Sequence, residues 1–189
     1  MQTMITAQSY SVEPENTWAA NLDSNEIFFD LSPNAATELR LFLDTCPGLD
    51  SMQNIKALET ISADGNSLTN CAQEIQRLEV RLQNGPRLAI LRPVDHLSFG
   101  QQLAVPWVLG QLMETLLEQN DSGDRDYLVA DRGGRMEQGA RYSQTNQGGS
   151  FNTDGVNLKS GYDYFLLHCV ASAPEGGESV LLNGFTILQ

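Results

Sequence analysis

Apolar residues recur at helical spacing in three stretches, and in unbroken short runs toward the end of the chain. The first helix is predicted from Leu31-Ser32-Pro33, where Ser32 caps and Pro33 takes the first helical position. Ala36, Leu39 and Leu43 then repeat on one face, and Cys46-Pro47-Gly48 ends the element. A second helix spans 70–82, with Ile75, Leu78 and Leu82 on its apolar face. A third spans 98–118 through Leu103, Trp107, Leu109, Leu112 and Leu116, with Pro106 marking a start or a kink.

Strand signals are shorter. Residues 87–92 form an apolar run between the breaker Asn84-Gly85-Pro86 and Pro93, and read as a short buried strand. Residues 163–171 and 178–183 read as two further strands, joined by the turn Pro174-Glu175-Gly176-Gly177. Between them and the helices, 120–149 is rich in Gly, Asp, Arg, Ser, Gln and Asn, which predicts long loops with one strand at 127–130. Residues 1–30 read as an irregular arm anchored by Trp18, Ile27, Phe28 and Phe29.

Composition narrows the class. The 189 residues are 41% hydrophobic and 19% charged, enough for one structural unit with a real core. No apolar run approaches the roughly 20 residues of a membrane-spanning helix. A net charge of −13 and only two lysines argue against nucleic acid or an anionic membrane as partner. Arg125, Arg132, Arg135 and Arg141 fall within 17 residues and read as loop charge offset by aspartates, with contact to an anionic group as the alternative. Cys46, Cys71 and Cys169 lack C-x-x-C spacing, and residues 1–9 carry no signal peptide. A reduced, cytoplasmic setting follows, with all three thiols as small buried residues.

The chemistry concentrates in Gly148-Gly149-Ser150-Phe151-Asn152-Thr153-Asp154 and in Gly176-Gly177-Glu178-Ser179, with a strand between them. This pattern resembles the iron(II)/2-oxoglutarate dioxygenases of the TauD/TfdA and clavaminate-synthase-like type, over roughly residues 85–189 and most strongly from Ser143 onward. In that family a His-x-Asp/Glu pair precedes a strand and a Gly-Gly-x-Thr/Ser turn follows it. Residues i and i+2 of an extended segment point the same way, so such a pair delivers a nitrogen and a carboxylate to one metal. A distant histidine completes a facial triad that leaves positions open for 2-oxoglutarate and oxygen. A distal arginine grips the far carboxylate of 2-oxoglutarate.

The resemblance implies that Asp154 is the carboxylate ligand of Fe(II) and that Ser179 steadies 2-oxoglutarate. Asn152 stands where the first metal histidine belongs, and an amide oxygen is a weaker iron ligand than imidazole. The family's distal histidine and arginine lie beyond the Gly-Gly-x-Ser turn, where this sequence has neither. His96 and His168 would complete a triad with Asp154 by count. Core or loop roles suit them better, since neither has a motif behind it. Gly133-Gly134 and Gly148-Gly149 lack the context of phosphate loops and read as turns.

The implied fold is α+β to mainly β: residues 1–84 form an arm and supporting helices, and 85–189 form the first part of a double-stranded β-helix, a jelly-roll core. Such a part leaves sheet edges and an apolar face to be covered by another chain. The expected function is that of one subunit of a split or heterodimeric oxygenase. It would oxidise a C–H bond of a small molecule with 2-oxoglutarate as co-substrate, a partner subunit supplying the missing ligands and arginine. The alternative is a non-catalytic relative that stabilises a complete oxygenase.

Overall fold

The computed structural model describes residues 22–51, 55–120, 122–153 and 161–187. Helix α1 (Ser24–Ile27) leads into strand β1 (Phe28–Phe29), helix α2 (Pro33–Thr45), and two 3-10 turns at Leu49–Ser51 and Ile55–Thr60. Helix α3 (Thr69–Asn84), strand β2 (Ile90–Leu91) and helix α4 (Phe99–Met113) follow. The rest is loop with 3-10 turns at Met136–Gln138 and Tyr142–Gln144 and a last turn of helix, α5 (Gly184–Ile187).

Local signals set the helix starts. Ser32 accepts the amide of Ala35 at the head of α2, with Pro33 at the first helical position. At the head of α4, Ser98 and Gln101 form a reciprocal capping box. Gln101 also donates to Asp44 Oδ1 of α2 at 2.7 Å, tying the two helices together. Helix α3 has no capping side chain of its own, because Leu68 holds that position. Glu38 of α2 supplies the acceptor instead, taking the Cys71 amide and the Asn70 side-chain amide, each at 2.8 Å.

The core lies where α2, α3 and α4 meet. Leu39, Leu43, Leu58, Leu68, Cys71, Ile75 and Val108 are sealed from solvent, with Phe29, Trp107 and Leu109 beside them. On α2 Leu39 and Leu43 are buried as expected, and the face differs at its first position, where Ala35 is buried and Ala36 partly so. Trp107 donates its indole N–H to the Ile61 carbonyl at 3.0 Å, satisfying the ring's one polar atom inside the core. Gln111 brackets the same stretch, donating to Ile61 O and accepting from the Ala63 amide.

Helix α4 runs through Pro106, in keeping with the sustained helical period, so the proline does not mark the helix start. The helix stops at Met113 rather than Glu118 because Leu116 doubles back on it. A Cβ added to Gly110 would lie 2.6 Å from Leu116 Cδ2, so the bare glycine makes room for the returning leucine. Gly100 serves a tighter contact, since a Cβ there would lie 1.7 Å from the Leu49 carbonyl oxygen.

Residues 23–29 are less irregular than the arm pattern suggested. Strands β1 and β2 pair in parallel, Phe28 opposite Ile90 and Phe29 opposite Leu91. Arg81 of α3 donates to the carbonyls of Asn25, Glu26 and Phe28, which fixes α1 and β1 against the helical body. Trp18, the other expected anchor, lies outside the described residues.

This is the single strand pairing among the described residues. Residues 127–130, expected as a strand, run beside 141–144 through two backbone hydrogen bonds, Ala130 N–H to Ser143 O and Arg132 N–H to Gln144 O. Residues 163–171 and 178–183 have no sheet partner among the described residues, and their large apolar side chains stand in solvent. The turn between them is as expected, with Gly176 and Gly177 both at positive φ.

Candidate functional site

Three places in the fold hold the chemistry-bearing residues. The first is the motif region itself. Asn152 and Ser179 are both exposed, and Asp154 lies outside the described residues. Among the described residues no group of three His, Cys, Asp or Glu side chains gathers around a common point.

The second place is around His168. His96 is exposed in its loop with a φ of 64°, so the two histidines occupy different environments. His168 is half-buried, and its Nε2 is shut away from solvent without a hydrogen-bond partner. Burial holds the imidazole below its usual range, partly offset by the carboxylate of Asp126. Burial likewise raises the Asp126 carboxyl, against the Tyr127 amide that donates to it at 2.7 Å and the nearby imidazole. His168 therefore reads as a partly buried structural residue on which the Asp126 carboxylate acts electrostatically. No sequence periodicity connects the two, so the pairing could not be anticipated.

Next to this pair, Lys56 of the second 3-10 turn bridges Asp124 Oδ1 at 2.8 Å, and Asn120 donates to the other carboxylate oxygen. The bridge keeps the Asp124 carboxyl low and the Lys56 ammonium high. It pins the start of the 120–149 loop to the core turn that carries Leu58.

The third place is further along the same loop. Tyr127 lies against Ser143, whose hydroxyl donates to the phenol oxygen at 3.4 Å, and both Arg132 and Arg141 act on that phenol electrostatically.

The cysteines divide. Burial pushes the Cys71 thiol up to about 12, reinforced by Glu38, so it is inert as expected. Cys46 is half-buried and also raised. Cys169 overturns the expectation of three buried thiols: it is exposed, because 163–171 lies open on the surface. An open groove of about 540 Å³ between α2 and the start of α3, lined by Thr37, Glu38, Leu41 and Ser67 among others, contains none of the motif residues.

A family model described as taurine catabolism dioxygenase TauD, TfdA family matches residues 54–189, most of the chain. The chain belongs to the TauD/TfdA family. No curated protein and no solved structure matches it. The match takes in helices α3 and α4, the 120–149 loop and both glycine motifs.

TauD/TfdA members use Fe(II) and 2-oxoglutarate. The described residues of this TauD/TfdA chain do not by themselves fit that iron. Asn152 offers a neutral amide, His168 is half-buried with its Nε2 shut away from solvent, and His96 stands apart in a loop. Among the described residues, no helix is long and apolar enough to cross a membrane.

Proposed function

We propose that this chain is one component of an Fe(II)/2-oxoglutarate-dependent oxygenase acting on a small molecule, completed by a partner polypeptide that supplies metal ligands and the arginine for 2-oxoglutarate. The family match supports the oxygenase class. The observation that carries the partner is the row of apolar side chains after residue 160. Phe165, Leu166, Leu167, Val180, Leu181, Leu182, Phe185 and Ile187 are 43–68% exposed. Covering the exposed half of each would stabilise an assembly by about 1 kcal/mol per side chain, several kcal/mol together. That is the scale an association needs against its entropy cost.

In such a complex the 163–171 and 178–183 segments would pair with added strands to build the double-stranded β-helix. Asp154 would then serve as the carboxylate ligand, and Ser179 would orient 2-oxoglutarate. Asn152 favours a second reading, a non-catalytic relative that stabilises a complete oxygenase, because imidazole is the expected donor at that position.

Co-expression of the chain with the product of the adjacent reading frame tests the first reading. Iron content and succinate formed from 2-oxoglutarate are the readouts. Turnover that is lost in Asp154→Ala is expected; turnover indifferent to Asp154 would sink the shared site and leave the scaffold role. Asn152→His should raise iron affinity if residue 152 faces the metal.

A further inference from the structure

We propose that the runs 163–171 and 178–183 dock a partner protein by strand addition, and that the partner's docking segment is extended, apolar and flanked by lysine or arginine. The proposal deepens the split-oxygenase reading by giving its partner a chemistry. It rests on that reading only for the partner's role, since the association requires no iron.

Both runs have the pattern of strands and lack the pairing that strands need. Among the described residues the backbone of 163–171 and of 178–182 enters no backbone–backbone hydrogen bond. Phe165, Leu166 and Leu167 are 43–68% exposed, and Val180, Leu181 and Leu182 are 53–68% exposed. Successive side chains of an extended run point to opposite faces, so three open neighbours in a row leave both faces uncovered. A patch laid on one face would leave the other in water. A strand added along the edge meets the open amides and carbonyls and alternate side chains together. The runs are also held in place. Gln83 of α3 donates to the Tyr164 phenol oxygen at 3.5 Å near the start of the first, and Asn183 accepts the Phe185 and Thr186 amides at 2.9 and 3.1 Å at the end of the second. Between them Gly177 lies against Ala173, where an added Cβ would come within 3.4 Å. Segments fixed in this way lose less freedom on association.

Charge decides which strand fits. Residues 161–189 hold Asp163, Glu175 and Glu178 and no lysine or arginine. Asp163 heads the first run, Glu175 lies in the turn and Glu178 heads the second run. All three are exposed, and none makes an ion pair among the described residues. The open edge therefore has an apolar middle and acidic ends, and its complement has an apolar middle and basic ends. A second copy of this chain would bring the same three carboxylates and a further net charge of −13, like charge against like. The fit is to a different protein.

Two synthetic peptides test the surface on the full chain: a strand of alternating Val and Thr flanked by lysines, and its twin flanked by glutamates. Binding is followed by fluorescence anisotropy in about 0.15 M sodium chloride, which screens long-range attraction. Saturable binding of the lysine peptide is expected, with protection of the exposed Cys169 thiol from alkylation. The glutamate twin should bind at least about tenfold more weakly. Leu167→Ser and Leu181→Ser should each weaken the lysine peptide by about tenfold. Neither should lower the thermal midpoint, because both side chains stand in solvent in the free chain. Joint Glu175→Gln and Glu178→Gln should narrow the gap between the peptides, whereas Glu118→Gln, an exposed carboxylate outside the runs, should not. Equal binding of the two peptides, or a lysine peptide indifferent to both leucine changes, would overturn the docking surface. So would self-association of the chain, seen by sedimentation, that Leu167→Ser and Leu181→Ser abolish. Peptide binding together with a co-expressed complex that shows no turnover strikes the oxygenase reading alone; turnover without peptide binding or Cys169 protection strikes this surface alone.

Discussion

The Glu38 carboxylate reaches from α2 to accept the Cys71 amide at 2.8 Å in the first turn of α3, where Leu68 offers no cap. Its partial burial acts to raise the carboxyl, but the hydrogen bonds from Cys71 and Asn70 prevail and hold it below the usual glutamate range. A carboxyl that is depressed in the fold stabilises above its unfolded value near 4.5, and that stabilisation is lost as pH falls through the folded value. Glu38→Ala should cost about 1 kcal/mol at pH 7, as loss of a helix cap does. Denaturant unfolding at pH 7 and below pH 4 checks this, and the wild-type advantage should shrink in acid.

Gly100 offers a second test, because its Cα face meets backbone rather than a movable side chain. With the Leu49 carbonyl 1.7 Å from an added Cβ, Gly100→Ala must separate α4 from the 3-10 turn at Leu49–Ser51. Destabilisation of at least about 1–3 kcal/mol is expected, despite alanine's better helix propensity. An unchanged thermal midpoint would show that the two elements are not packed this closely.

His168 should titrate below the ordinary histidine range, since burial lowers it more than Asp126 raises it. An imidazole depressed in the fold stabilises above its unfolded value near 6.5, and the contribution is lost as pH falls from there toward the folded value. Asp126, raised by burial, acts oppositely: its contribution is full below its unfolded value near 3.8 and fades as pH rises from there. Proton resonances of His168 in a His96→Gln background would report the imidazole directly. Asp126→Asn should push His168 lower still, and a value unmoved by that change would break the pairing.

Thiol accessibility provides the fourth. Cys169 should react first with a disulfide reagent in the folded protein, Cys46 more slowly, and Cys71 only on unfolding. If a partner covers 163–171, its addition should protect Cys169 without changing Cys46.

Much of the helical body was legible because its signals are local. Ser32 and Pro33 start α2, and Ser98 starts α4, through side chains within three residues of the amides they cap. The end of α4 was not legible, because Leu116 folding onto Gly110 is a packing event that periodicity cannot register. Nor was the β1–β2 pairing, whose partners lie 62 residues apart and share no pattern. The motif spacing pointed to the family through Asp154 and Ser179. It said nothing of the Asp126 carboxylate acting on His168, or of Ser143 donating to the Tyr127 phenol, since both arrangements depend on how a long loop returns on itself.

The pairing of Phe28–Phe29 with Ile90–Leu91 also decides where the chain can be cut. A fragment begun at residue 54 would retain the whole family match, yet it would lose Phe29, Ala35, Leu39 and Leu43 from the same apolar cluster that holds Ile75, Trp107 and Val108. It would also strip Arg81 of the three carbonyls it holds and leave the head of α3 without Glu38. The edge of the recognisable homology thus passes through the middle of the apolar core, and expression boundaries drawn along it would divide that core between two fragments.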